Sequence, residues 1–143
     1  VFLIGFILTS VCIGPFLKLI DSEVPFVSMP LWGLLGLAFF AHRFGAMHMQ
    51  VYLTTNHVIS HIADGVSGIL FIVTTFFLSK YIGIYSVPIG MLIGYLIFYD
   101  WYAAKYSYTS LGGENFWDFE KKTSIPSIVV LLMFVIVTVM VFK

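Results

Sequence analysis

Charge is scarce in this chain. Of its 143 residues only 10% are Asp, Glu, Lys or Arg, and seven basic side chains balance seven acidic ones. That leaves no basic surface for nucleic acid and no acidic field for a cationic partner. Cysteine is rarer still. Cys12 stands alone, so neither an internal disulfide nor a thiolate metal cluster can form. No nucleophile elbow, phosphate-cradling glycine loop or pair of catalytic carboxylates occurs, which argues against an enzyme and predicts no cofactor. Low-complexity tracts and short repeats are missing too. No basic stretch precedes the first apolar run and no small-residue cleavage site follows it, which predicts no signal peptide.

Apolar residues are abundant instead. They make up 60% of the chain, and the mean hydropathy is +1.02. No soluble domain needs so much apolar surface, so the composition predicts a membrane protein. The start Val-Phe-Leu-Ile, without an initiator methionine, reads as a piece of a longer one. A spanning helix takes roughly 20 mostly apolar residues. Five segments qualify, at about 2–19, 31–53, 58–79, 86–104 and 125–142. Apolar runs such as Ile69–Leu78 and Ile128–Val141 are continuous, without the alternation of barrel strands. The expected fold is therefore all-α and transmembrane, one domain over 1–143.

Punctuation agrees with these bounds. Pro25 and Pro30 lie between the first two spans, Gly83 lies in a short connection, and Pro88 suits the first turn of the fourth span. Residues Lys105–Lys122 read as an interfacial loop. They follow an aromatic cluster of Phe98, Tyr99, Trp101, Tyr102, Tyr106 and Tyr108 and contain Phe116, Trp117 and Phe119. Basic residues divide evenly. Lys105, Lys121 and Lys122 fall on one side and Lys18, Lys80 and Lys143 on the other, so charge does not orient the bundle.

Polar side chains concentrate in Arg43–Asp64. At helical spacing Arg43, Met47, Gln50, Thr54, His57, His61 and Asp64 fall on one narrow face. Charges and imidazoles at membrane depth usually line an aqueous path or a ligand cavity. Arg43 lies near the middle of its span. It needs an anionic partner, either Asp64 or Asp100 within the chain or an anionic substrate group held by its planar fork. His57, His61 and Asp64, spaced by four and three, are the residues able to hold zinc or iron. No second histidine box supports that, and lining a cavity or capping a helix fits them better. Asp100 is expected about one turn from the interface, either solvated near Lys105 or acting as a proton- or cation-coupling site. Ser86, Gly90 and Gly94 recur every four residues and predict close helix packing, with Gly65 and Gly68 in a similar role.

Two stretches carry a family resemblance. Arg43-Phe-Gly-Ala-Met-His-Met-Gln-Val-Tyr-Leu-Thr-Thr-Asn-His-Val, followed by Ile59-Ser-His-Ile-Ala-Asp-Gly, resembles the C-terminal lobe of O-antigen and polysaccharide flippases. Those proteins belong to the multidrug/oligosaccharidyl-lipid/polysaccharide exporter superfamily. Leu78-Ser-Lys-Tyr-Ile-Gly-Ile-Tyr-Ser-Val-Pro-Ile-Gly-Met-Leu-Ile-Gly-Tyr-Leu is similar to a unit that recurs in the family, a turn followed by a small-residue helix. Tyr85 and Val87-Pro88-Ile89 depart from the pattern, where a small residue and an Ala-rich helix start are usual. The resemblance covers about Phe40–Lys105. It implies five of the twelve to fourteen spans of a two-lobed exporter in the bacterial cytoplasmic (inner) membrane. It implies transport of a lipid-linked oligosaccharide on an undecaprenyl-diphosphate carrier, for O-antigen, capsule or exopolysaccharide assembly. Polysaccharide polymerase and assembly proteins are its implied partners, besides the bilayer and the lipid-linked oligosaccharide. It also places the Thr54–His57 turn and Lys105–Lys122 in the cytoplasm.

On that reading Arg43 meets diphosphate, Gln50, Thr54, His57 and His61 bond sugar hydroxyls, Asp64 completes the lining, and Asp100 is the coupling candidate. A multidrug or cation antiporter of the same superfamily is the alternative, and it needs a carboxylate deep in the cavity. A membrane metalloenzyme built on His57, His61 and Asp64 is a third.

Overall fold

The computed structural model describes the backbone of residues 2–110 and 116–141. Every regular element among them is helical. In order they are α1 (Phe2–Leu19), α2 (Met29–Leu53), α3 (Ser60–Ile82), a 3-10 turn (Gly83–Tyr85), α4 (Ser86–Gly94), a π-helical turn (Tyr95–Tyr99), α5 (Asp100–Ser110) and α6 (Phe116–Val141). Two stretches are long and apolar enough to cross a membrane, Phe2–Leu19 and Ser60–Ser110, and Ser124–Val137 is a shorter apolar piece.

The second stretch folds back on itself at Gly83. This residue has φ +55°, a conformation that costs glycine little and other residues more. Beyond it α4 runs antiparallel along α3. A Cβ on Gly94 would meet the Ser67 carbonyl, and one on Gly90 would meet Thr75 Oγ1 and the Phe71 carbonyl. Ser86, Gly90 and Gly94 are buried in this seam, as their spacing predicts. Gly65 and Gly68 are not part of it. A Cβ on either would meet nothing within 4 Å, because that side of α3 faces away from the bundle. Since the obstacle at Gly94 is backbone, which cannot rotate aside, Gly94→Ala is expected to destabilise the hairpin by about 1–3 kcal/mol. Thermal unfolding of the detergent-purified variant checks this, with Gly68→Ala as the unaffected control.

Helix α2 is the hub, and its glycines explain why. Gly36 faces the Phe6 ring of α1, Gly33 lies 3.2 Å (as a virtual Cβ) from Val135 of α6, and Gly45 receives Tyr99 and Asp100 from the fourth segment. Small residues let helix backbones approach closely where no water drives them together. The pairings set direction. Phe2 stacks near Phe40 and Phe6 near Trp32, so α1 is antiparallel to α2. His42 lies against Tyr95, Gly45 against Asp100 and Tyr52 against Tyr106, so α4–α5 is parallel to α2. Trp32 Nε1–H donates to Ser10 Oγ at 2.7 Å, and that hydroxyl donates to the Phe6 carbonyl.

Two expected bounds need correction. The fourth segment does not stop at Ala104 but runs to Ser110, and α6 begins at Phe116 rather than Ile125. Most of Lys105–Lys122 is thus helix, not an interfacial loop. Hydropathy misplaced these ends because both helices continue through polar residues that pair with each other. Residues 111–115, the side chains of Phe116, Trp117 and Phe119, and Phe142 lie outside the described residues.

Candidate functional site

The polar face expected over Arg43–Asp64 is broken by a turn. Helix α2 ends at Leu53, and Thr54 caps it while its hydroxyl donates to the Val51 carbonyl. Asn56 has φ +66°, a left-handed conformation that asparagine tolerates better than most residues. His57 lies in this turn, its Nδ1 2.9 Å from the Thr55 carbonyl. His61 and Asp64 belong to α3, which runs the other way. The seven residues therefore form two short stripes meeting at one end of the bundle. His57, His61 and Asp64 do not converge on a point. Among the described residues no three His, Cys, Asp or Glu side chains are arranged to hold a metal ion.

Arg43, Met47, Gln50 and Thr54 still share one face of α2, and all are exposed. The opposite face, with Ala38, Ala41, Gly45, His48 and Met49, is buried against the other helices. Arg43 makes no ion pair with Asp64 or Asp100. The sole ion pair among the described residues is His48 with Glu120.

Asp100 is placed differently from expectation. It is 7% exposed and lies ten residues inside the end of its helix, not one turn from an interface. Its carboxylate presses against Gly45, where α2 has no side chain, and Oδ1 has no hydrogen-bond partner among the described residues. Lys105 is turned away, its ammonium 5.3 Å over the Trp101 ring. Directly before Asp100 comes the π turn, closed by the Asp100 N–H donating to the Tyr95 carbonyl five residues back. Such turns widen a helix by one residue and recur at functional positions. This one swings Tyr95 and Tyr99 towards His42, whose ring lies 5.0 and 5.5 Å from theirs. Asp64 and Asp100 both lie within electrostatic reach of the two tyrosines. Helices α2 and α3 each pack on this segment, and Tyr99 joins Met49 of α2 and Ala63 of α3 in the buried core, with Tyr95 packed against it.

A second buried polar group was not anticipated. His48 Nε2 lies 3.2 Å from Glu120 Oε1, and the Tyr108 hydroxyl donates to the same oxygen at 2.9 Å. His48 and Glu120 are 8% and 5% exposed. Glu120 Oε2 and the wholly buried Ser107 Oγ have no partner among the described residues. The group ties α2, α5 and the start of α6 together. One local signal pointed to it. Asp118 and Glu120 stand just ahead of a long apolar run, and acidic residues favour a helix's first turn.

A concavity of about 420 Å³ lies elsewhere. Its lining of Val11, Ile13, Gly14, Phe26, Met29 and Phe134 with Ser10 is apolar and offers no titratable group.

The molecule thus presents two kinds of chemistry. An exposed guanidinium, amide and hydroxyl on one helix face can hydrogen-bond an anionic, hydroxyl-rich ligand. Inside the bundle, unpaired carboxylate oxygens can take up a cation or a proton. No known family model, curated protein or solved structure matches this chain.

Proposed function

We propose that the chain is part of a membrane transporter that flips a lipid-linked oligosaccharide across the bacterial cytoplasmic membrane, crossing the bilayer five times. The passes are α1, α2, α3, α4–α5 and α6. Their alternating directions support that count, as does the rim of exposed Ile, Val, Leu and Phe on α1, α3 and α6.

The observation that carries the reading is the exposed face of Arg43, Gln50 and Thr54 on a mid-bundle helix. A lone cation at the bilayer centre costs about 3 kcal/mol or more. A helix bearing one on its outer face is stable only if that face meets water, a ligand or another part of the transporter. Such a face suits one wall of a wet path. Thr54, His57 and His61 gather at the α2–α3 turn, and Arg43 lies about 15 Å deeper along α2 at 1.5 Å per residue. Hydroxyl-binding groups at the entrance and a guanidinium further in match a sugar-diphosphate headgroup, which must be hydrogen-bonded throughout its crossing. Rocking of one lobe against another around this wall would complete transport.

One observation favours ion coupling as well, and with it the antiporter alternative. Asp100 is buried and its Oδ1 has no hydrogen-bond partner among the described residues, which suits a coupling carboxylate.

Deletion of the gene in its host tests the function. The expected result is loss of surface polysaccharide with carrier-linked repeat units accumulating inside. Unchanged glycan would remove the flippase reading and leave the antiporter.

A further inference from the structure

We propose that the His48–Glu120 contact is a proton-operated clasp, which holds the first part of α6 on the bundle and lets it swing about Pro126 when it opens. This goes beyond the transport reading and does not depend on which ligand is carried. Of the side chains described between 116 and 125, Glu120 alone is buried. Asp118, Lys121, Lys122 and Ile125 are exposed, and Ser124 is half-buried. The second part of α6 is anchored differently. Leu131 is 1% exposed, the Phe134 ring packs edge-on against Phe6, and Val135 lies against Gly33. Between the two parts stands Pro126, exposed and inside the helix. Proline has no N–H, so it gives up the helical hydrogen bond to residue 122 and is the usual site of a kink. One part of α6 is thus fixed by apolar packing, and the docking of the other centres on a titratable side chain.

The clasp's chemistry follows from its donors. A carboxylate only accepts, so His48 Nε2 carries a hydrogen and donates to Glu120 Oε1 at 3.2 Å, beside the Tyr108 hydroxyl at 2.9 Å. Protons bind to such a pair in two steps that belong to the pair. The first leaves an imidazolium on a carboxylate, and the clasp stays shut. The second lands on Glu120 Oε2, which has no partner among the described residues. Glu120 is then a neutral acid, Tyr108 and His48 lose their anionic acceptor, and a buried imidazolium faces no anion. A lone buried charge is unstable away from water, and opening hydrates it. His48 lies five residues before the end of α2, Tyr108 two before the end of α5 and Glu120 four after the start of α6. All three are within about 8 Å of a helix end, so the clasp sits towards one end of the bundle. The titratable groups facing Glu120 are His48 from α2 and Tyr108 from α5. On α6 Asp118, Lys121 and Lys122 are exposed, as is Arg43 on the other face of α2.

Spin-label distances test this. Nitroxides are placed on Lys121→Cys and Ile62→Cys, both exposed, in a Cys12→Ser background. The protein is reconstituted in liposomes of phosphatidylethanolamine and phosphatidylglycerol. A second pair, on the exposed Met133→Cys and Ile72→Cys, reports the part of α6 beyond the hinge. Lowering the pH from about 8 to about 4 is expected to raise the long-distance population of the first pair about tenfold or more and to leave the second pair unchanged. Glu120→Gln removes the titrating acceptor and keeps its shape. It is expected to show the long distance at every pH while the second pair keeps its wild-type distance, which separates an open clasp from an unfolded bundle. A first pair that holds one distance across the range in wild type overturns the clasp. So does a Glu120→Gln variant that keeps the wild-type response, or a second pair that moves as much as the first. None of these outcomes touches the flippase reading, which stands or falls on the polysaccharide of the deletion strain.

Discussion

Arg43→Ala is expected to abolish surface polysaccharide while the protein stays in the membrane at its normal level. The two halves of this result have different causes. Arg43 is exposed and makes no ion pair among the described residues, so its removal opens no cavity and strands no buried partner. Changes at such positions usually lie within about 0.5 kcal/mol of neutral, and insertion of α2 should become easier without the cation. Transport, under the proposed flippase reading, loses the one guanidinium on the exposed face. A hydrogen bond to a charged group contributes about 1.5–3 kcal/mol. Losing a two-pronged phosphate contact therefore costs about a hundredfold or more in affinity at the step where the diphosphate is furthest from water. Arg43→Lys keeps the charge and loses the fork, so an intermediate glycan level is expected. The measurement is an immunoblot of the membrane fraction beside a gel of extracted surface polysaccharide. Normal glycan from Arg43→Ala would sink the assigned role. Loss of the protein itself would move Arg43 from the ligand to the fold.

The helical layout was legible because it is written in local signals. Continuous apolar runs, Pro30 and Pro88 at helix starts and Gly83 at the reversal each act within a few residues. What escaped was whatever depends on a partner far along the chain. Glu120 looked like loop because its environment is supplied by His48, 72 residues away, and by Tyr108. Asp100 looked superficial because hydropathy ended its helix at Ala104, whereas burial of Ser107 carries the helix to Ser110. Periodicity also joined residues that the chain separates. Counting in steps of three and four runs straight through Thr54-Thr55-Asn56, although asparagine at a positive φ marks a turn. Glycine spacing was informative only with a neighbour in view. Gly90 and Gly94 have one in α3, Gly65 and Gly68 face open space, and Gly33, Gly36 and Gly45 serve three different helices.

Gly45 carries the second large effect. Gly45→Val is expected to unfold or loosen the α2–α5 contact and with it the buried site. Even an alanine Cβ at this position would fall on Asp100 Oδ1 and the Tyr99 ring. The ring is hemmed in by His42 and Tyr95, and the carboxylate is packed in the bundle, so neither can swing aside cheaply. Helices α2 and α5 must separate instead. Overpacking of this kind costs about 1–3 kcal/mol, and valine adds two methyl groups to the intrusion. Separation also strips the short-range contacts that hold helices together in lipid. The readout is the unfolding temperature of detergent-purified protein, with Gly65→Val as control, since a Cβ at Gly65 meets nothing within 4 Å. A partial return of stability in Gly45→Ala combined with Asp100→Ala would show that the two side chains share one space, because only contacting residues depart from additivity. Equal stability of Gly45→Val and Gly65→Val would mean that α5 does not lean on α2 at this point. Asp100 would then be open to water, and its burial beside Gly45 would not survive.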